Sequence, residues 1–280
     1  MRRSLVLLAL PSLLVAAQPT VRELSLKTPD GFTLKGTLTI PPGHGRHAAV
    51  ILAHQFRSDR SGWAPLAEQL QSRGIATLAL DLRGHGQSTE RNATSVAVDG
   101  EFAGSAKRIG FDQIPGDLEL AAAWLRKQPG IDGRRVGLAG SSIGALSALM
   151  AAPKVHPIAV VALSPAGNAA FGEGAGTRLK GAVSKARSAV FTLAAEEDTE
   201  AWSNSKALVG LPGVCAKGVE GKAHGFELLT PHGDTMAVFF GEYLRKRVPS
   251  KPKAPAAPEP KPEAKAAAAP SPAPAPKPAK

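Results

Sequence analysis

Cysteine occurs once in this chain, at Cys215, which excludes an internal disulfide and leaves the fold to be held by its core alone. Cys215 lies in the apolar run Val214-Cys215-Ala216 and reads as a small buried hydrophobe. Beyond the N-terminus, no stretch is long and apolar enough to cross a bilayer. There is no H-E-x-x-H and no cysteine pair, and His44 and His47 flank a Gly-rich turn unsuited to a rigid ligand set. The sequence therefore calls for no metal and no other cofactor. Helix-turn-helix and finger spacings are missing, basic and aromatic residues do not interleave, and no internal repeat is found, so nothing marks a specific nucleic-acid binder.

What is present is an ordinary globular composition, 43% hydrophobic and 20% charged, with extra positive charge at its ends. Arg2 and Arg3, with the six lysines and two glutamates of residues 251–280, account for six of the eleven net positive charges and leave about +5 on the body. Met1-Arg2-Arg3 followed by apolar residues 5–15 and the small pair Ala16-Ala17 has the layout of a secretory signal cut after Ala17. Pro11 and Ser12 interrupt that run, and it is too short for an anchor. The expectation is an exported protein, periplasmic or secreted, with a signal at 1–17, a folded domain at 18–248 and a Pro/Ala/Lys-rich tail at 249–280. The tail has nothing to bury and reads as a solvated, semi-rigid spacer, or as an electrostatic contact with an anionic envelope surface.

Within the body, short β-rich runs alternate with longer helical ones, the pattern of parallel βαβ units and an α/β class. Strands are expected at about 21–27 and 32–40, a hairpin around Pro29-Asp30-Gly31 that forms an antiparallel edge, then at 49–53, 75–80, 135–139, 159–163, 189–193 and 213–217. Helices are expected at about 61–72, 114–127 and 142–150, and a closing one at 231–246 with Thr230 as cap and Pro231 in its first turn. Residues 84–110 read as an irregular, Gly-rich insertion.

Gly140-Ser141-Ser142-Ile143-Gly144 matches G-x-S-x-G where a predicted strand hands over to a predicted helix. The glycines allow a sharp turn that lifts the Ser142 hydroxyl clear of the sheet. A serine hydroxyl needs a base to take its proton and a third group to orient that base. His224 follows the last predicted strand, whereas His232 sits beside the closing helix cap, so His224 is the candidate base. The turn after residue 193 offers Glu196, Glu197 and Asp198; spacing favours Asp198, with Glu197 the alternative.

These residues carry a resemblance. Over roughly residues 20–248 the chain resembles the α/β-hydrolase superfamily, particularly small dienelactone-hydrolase-like and esterase-like members. Besides the elbow, Asp81-Leu82-Arg83-Gly84-His85-Gly86-Gln87-Ser88 is similar to the family's D-x-R-G-x-G-x-S turn, Ala195-Glu196-Glu197-Asp198 to its acid turn and Ala223-His224-Gly225-Phe226 to its histidine loop. The short stretch between the strand ending at Leu163 and the one starting near Ala189 leaves room for little or no lid. The resemblance implies a mostly parallel eight-stranded sheet flanked by helices and gives Asp81 and His85 a structural part only. It implies a Ser142-His224-Asp198 triad whose oxyanion hole takes one backbone N–H from Ile143. The second comes from Phe56, in a loop His54-Gln55-Phe56 similar to the family's His-Gly-x. Gln55 departs from that glycine, so the loop takes another path or Gln55 adds a side-chain contact to substrate; the His54 side chain reads as packed structure. The expected activity is hydrolysis of carboxylic esters through an acyl-enzyme, with peptidase, thioesterase and dienelactone hydrolase as alternatives on the same residues. From another class stands a non-catalytic envelope scaffold on the same fold.

Overall fold

The computed structural model describes residues 18–245; the expected signal at 1–17 and the tail at 249–280 lie outside the described residues. Ten strands form, β1 Thr20–Lys27, β2 Thr33–Ile40, β3 His47–Ala53, β4 Ala76–Asp81, β5 Glu90–Arg91, β6 Thr94–Ser95, β7 Ile131–Ser141, β8 Ala159–Leu163, β9 Ala189–Ala195 and β10 Val214–Val219. Eight of them make one sheet in the order β1-β2-β4-β3-β7-β8-β9-β10, while β5 and β6 pair separately. β2 runs antiparallel to both β1 and β4, and every other pairing in the sheet is parallel. The expected hairpin edge and eight-stranded sheet are thus both present.

Eight helices cover the sheet: α1 Ala64–Ser72, α2 Phe102–Ile109, α3 Ile114–Leu125, α4 Ile143–Val155, α5 Asn168–Phe171, α6 Ala175–Ala186, α7 Thr199–Ala207 and α8 Leu229–Arg245. A parallel strand buried on both faces needs apolar side chains at every position, and β3 supplies them. Its Ala49, Ile51 and Ala53 join the core beneath α3, α4 and α6, while Ala48, Val50 and Leu52 join the core beneath α1 and α8. The two-residue alternation of the strand thereby feeds two separate cores from one run of seven residues.

Several expectations need correction. The 84–110 segment is not irregular throughout: it holds the β5–β6 pair and α2, whose N-terminus is capped by the Glu101 carboxylate accepting from the N–H groups of Ala103 and Gly104. Gly110, left-handed at φ 81°, ends that helix. β7 begins at Ile131 rather than Arg135, and α4 begins at Ile143 and continues through Pro153 to Val155. Thr230 does not cap the closing helix. α8 continues directly from a 3₁₀ turn at Gly225–Leu228, which leaves Thr230 and Pro231 inside its first turn. Helices α5, α6 and α7 form where the sequence reading places none. Cys215 is exposed, because β10 is an edge strand whose residues alternate between partial burial and solvent.

One buried ion pair joins three segments distant in sequence. Arg83, in the turn after β4, makes a bidentate contact with Asp117 of α3, Nε to Oδ2 and Nη2 to Oδ1, both at 2.7 Å, and also meets Asp30 of the β1–β2 turn at 3.0 Å. Burial works against charge on both partners and raises the Asp117 carboxyl. For Arg83 the two facing carboxylates outweigh burial and raise the guanidinium. Removing one member of such a pair strands the other charge in the core. Asp117→Leu is expected to cost about 3–5 kcal/mol in urea unfolding, and the double variant with Arg83→Met to recover most of that loss.

Candidate active site

β7 delivers Ser142 to the rim of the sheet. The residue sits at φ 54°, ψ −118°, a conformation that a non-glycine residue adopts only when its surroundings impose it. Its own N–H continues the ladder to the Leu163 carbonyl of β8 at 2.9 Å. The flanking glycines are required by space. A Cβ on Gly140 would stand 2.2 Å from the Gly144 carbonyl oxygen, and one on Gly144 would stand 2.2 Å from that of Ala53 on β3. The elbow is therefore wedged between β3 and the first turn of α4, and Ser142 remains only 9% exposed.

Two loops bring partners to it. The Ser142 hydroxyl lies 2.8 Å from His224 Nε2, and His224 Nδ1 lies 2.6 Å from Asp198 Oδ2. A carboxylate only accepts, so Nδ1 carries the proton and Nε2 is left to accept from the serine hydroxyl. Asp198 is half-buried after β9, whereas Glu196 and Glu197 are exposed, and it is Asp198 that reaches the imidazole. The histidine loop is held by three acceptors on three parts of the chain. Glu227 Oε2 takes the His224 N–H at 2.8 Å, Ser164 Oγ takes that of Gly225 at 2.9 Å, and Gln55 Oε1 takes that of Phe226 at 2.8 Å.

Ile143 opens α4, a position whose N–H has no acceptor within its own helix. Phe56 follows β3 in a loop pinned at both ends. The Arg60 N–H donates to Asp81 Oδ1 at 2.9 Å, and the Leu82 N–H donates to His54 Nε2, also at 2.9 Å. The positive φ of this loop falls on Arg57 at 58°, so Gln55 replaces the family's glycine without adopting a left-handed conformation. Phe56 packs edge-on against Phe102 of α2 and against His85, with ring centroids 5.2 and 5.8 Å apart. Asp81 and His85 thus organise the loop, as the resemblance implies.

Sequence reading singles out Gln55 for a changed loop path or a contact to substrate, not as a brace of the histidine loop, and misses the outer supports Ser164, Glu227 and Glu200, whose carboxylate takes the N–H groups of Gly167 and Asn168 at 2.7 Å. Only Glu227 carries a local signal, a carboxylate three residues after His224 in position to accept the His224 N–H.

His54 is fully buried and accepts from Leu82, so its Nδ1 donates to the Gln55 carbonyl at 2.7 Å. Burial, reinforced by the neighbouring His85, lowers its pKa from 6.5 to about 3. The unfolded chain then binds this proton more readily than the folded one. The neutral histidine's contribution is complete above pH 6.5 and is lost as pH falls from there toward 3. At pH 5 the loss amounts to about 2 kcal/mol, and urea midpoints at pH 7 and pH 5 should differ less in His54→Gln than in the wild type.

Comparison with known proteins agrees with this architecture. The model of the alpha/beta hydrolase family matches residues 43–276. The chain is 29% identical over 147 residues to an uncharacterized protein of Mycobacterium tuberculosis, covering 52% of this chain and 46% of that one. It is 30% identical over 138 residues to the thiohydrolase aneE of Aspergillus aculeatus, covering 48% and 38%. The match thus spans less than half the length of these curated relatives. Among solved structures, the dienelactone hydrolase of Anabaena variabilis superposes with a TM-score of 0.59 at 23% identity, over 81% of this chain and 97% of that one. Acetyl xylan esterase 1 of a Thermoanaerobacterium species gives 0.58 at 18%, over 81% and 89%. With the family model matching most of its length and its sheet carrying the family's strand-end loops, the chain belongs to the alpha/beta hydrolase family.

Proposed function

We propose that this protein is an exported serine hydrolase that cleaves carboxylic esters through an acyl-enzyme. The observation that carries the reading is the unbroken hydrogen-bond chain from Asp198 through His224 to Ser142, assembled from the ends of β9, β10 and β7. In this reading His224 Nε2 takes the Ser142 proton as Oγ bonds to the substrate carbonyl carbon. The N–H groups of Ile143 and Phe56 stabilise the resulting oxyanion, and Asp198 orients the imidazole and offsets its charge. The imidazolium gives its proton to the leaving alcohol as the ester C–O bond breaks. Water, deprotonated by the same histidine, then attacks the acyl carbon and returns Ser142 to its free form. Export is supported by the charged, apolar and small-residue succession of residues 1–17.

A thioester is the second acyl donor to consider, because one relative is named a thiohydrolase. Turnover of p-nitrophenyl esters of increasing chain length, set beside a thioester, a lactone and an aminopeptidase substrate, ranks these chemistries. Wild-type protein is expected to label with a fluorophosphonate and Ser142→Ala to remain unlabelled. Ser142→Ala and His224→Ala should each lower kcat by about 10⁴-fold or more, and Asp198→Asn by a comparable factor through the wrong imidazole tautomer. A folded wild-type protein that neither labels nor turns over any acyl substrate would favour a non-catalytic scaffold.

A further inference from the structure

We infer that Gln55 is a substrate-binding residue that selects acyl donors carrying a hydrogen-bond acceptor close to the scissile carbonyl, such as an α-alkoxy ester; this rests on the serine hydrolase reading above. Gln55 occupies the position where the family's loop carries glycine, and its carboxamide is fixed in orientation. Oε1 accepts from the Ser141 hydroxyl at 2.9 Å and from the Phe226 N–H at 2.8 Å. A backbone N–H can only donate, so the atom that meets Phe226 is the oxygen, and the amide nitrogen is the free end of the group.

The backbone side is held just as firmly, since the Gln55 carbonyl accepts from the His54 ring at 2.7 Å and from the Ser58 N–H at 3.3 Å. Gly225 comes down directly onto the amide, where a Cβ would stand 2.0 Å from Oε1. Oε1 therefore bridges the neighbour of the nucleophile, Ser141, to the backbone two residues past the base, His224.

The nitrogen has a different status. Gln55 is half-buried, and its Nε2 has no acceptor among the described residues and is not fully buried. Its N–H donors thus have no acceptor among the described residues beside the elbow, on a side chain that cannot rotate away without breaking both contacts of Oε1. Solvated, they cost nothing. With an ester seated over Ser142 and water displaced, they are satisfied by a substrate oxygen or left bare.

The discriminating pair of substrates is p-nitrophenyl methoxyacetate and p-nitrophenyl butyrate, which differ by one oxygen in place of a methylene. Gln55→Glu keeps an acceptor for Ser141 and Phe226 and lacks the N–H donors; Gln55→Leu lacks both. In each variant the methoxyacetate-to-butyrate ratio of kcat/KM is expected to fall about tenfold from the wild-type ratio, which cancels the intrinsic reactivity of the two esters. Gln55→Leu should in addition lose kcat on both esters, because the histidine loop is no longer tied to the elbow. A wild-type ratio preserved in either variant would overturn the proposal while leaving the serine hydrolase reading standing. Fluorophosphonate labelling of the wild type, run alongside, separates the two, since an unlabelled wild-type protein overturns both.

Discussion

Everything at the rim depends on the backbone of Ser142 being held where a serine does not rest by itself. A left-handed φ at a residue with a side chain costs of order 1–3 kcal/mol and persists only under over-determination. Three constraints supply that here. The Ser142 N–H is engaged by Leu163, the Gly144 backbone presses against β3, and the hydroxyl is held by His224. Relaxing any one of them would let the turn open toward ordinary helical values and carry the hydroxyl off its line to the imidazole.

The same device recurs on neighbouring strands. Ser164, the first residue past β8, has φ 47° and donates its N–H to the Leu193 carbonyl of β9 at 2.7 Å; Arg57, in the loop past β3, has φ 58°. β7 and β8 are adjacent in the sheet, so Ser142 and Ser164, each the first residue past its strand, lie side by side along one edge. Ser164 uses its position to hold the Gly225 N–H with its hydroxyl. Strain on one strand end thus positions the loop that carries His224, the hydrogen-bond partner of the strained serine on the next. Parallel strands make this economical, because every carboxyl end arrives at the same edge and a ligand there meets several loops at once.

Much of this was legible in the residues, for physical reasons. Runs such as Ala49-Val50-Ile51-Leu52-Ala53 are apolar at every position, and only a strand covered on both faces tolerates that. The elbow was legible because steric demands on Gly140 and Gly144 leave no other residue there, and the histidine that reaches Ser142 because His224 alone follows the last strand in a loop. Helix α6 was harder to see. Its apolar positions Leu179, Val183 and Ala186 are separated by Lys, Gly and Ser, so its short stripe is easily lost among polar residues. Cys215 misled because an apolar neighbourhood says nothing about whether a strand lies at the edge of its sheet. Asp117 was invisible as the partner of Arg83, since the two meet only after α3 crosses the sheet.

Gln55 shows where local reading ends and tertiary reasoning begins. From the sequence, a side chain in place of glycine threatened a loop thought to need positive φ. In the structure that demand has moved to Arg57, and the space given up by Gly225 receives the glutamine oxygen. Two positions distant in sequence fit one another: Gly225, in the histidine loop, leaves the space that the Gln55 side chain fills. The side chain adds a polar cross-link, through Ser141 and Phe226, that a glycine at position 55 could not make. Ser141 is fully buried and would otherwise hold an unsatisfied hydroxyl beneath Ser142, so the glutamine also settles the hydrogen bonding of the elbow itself.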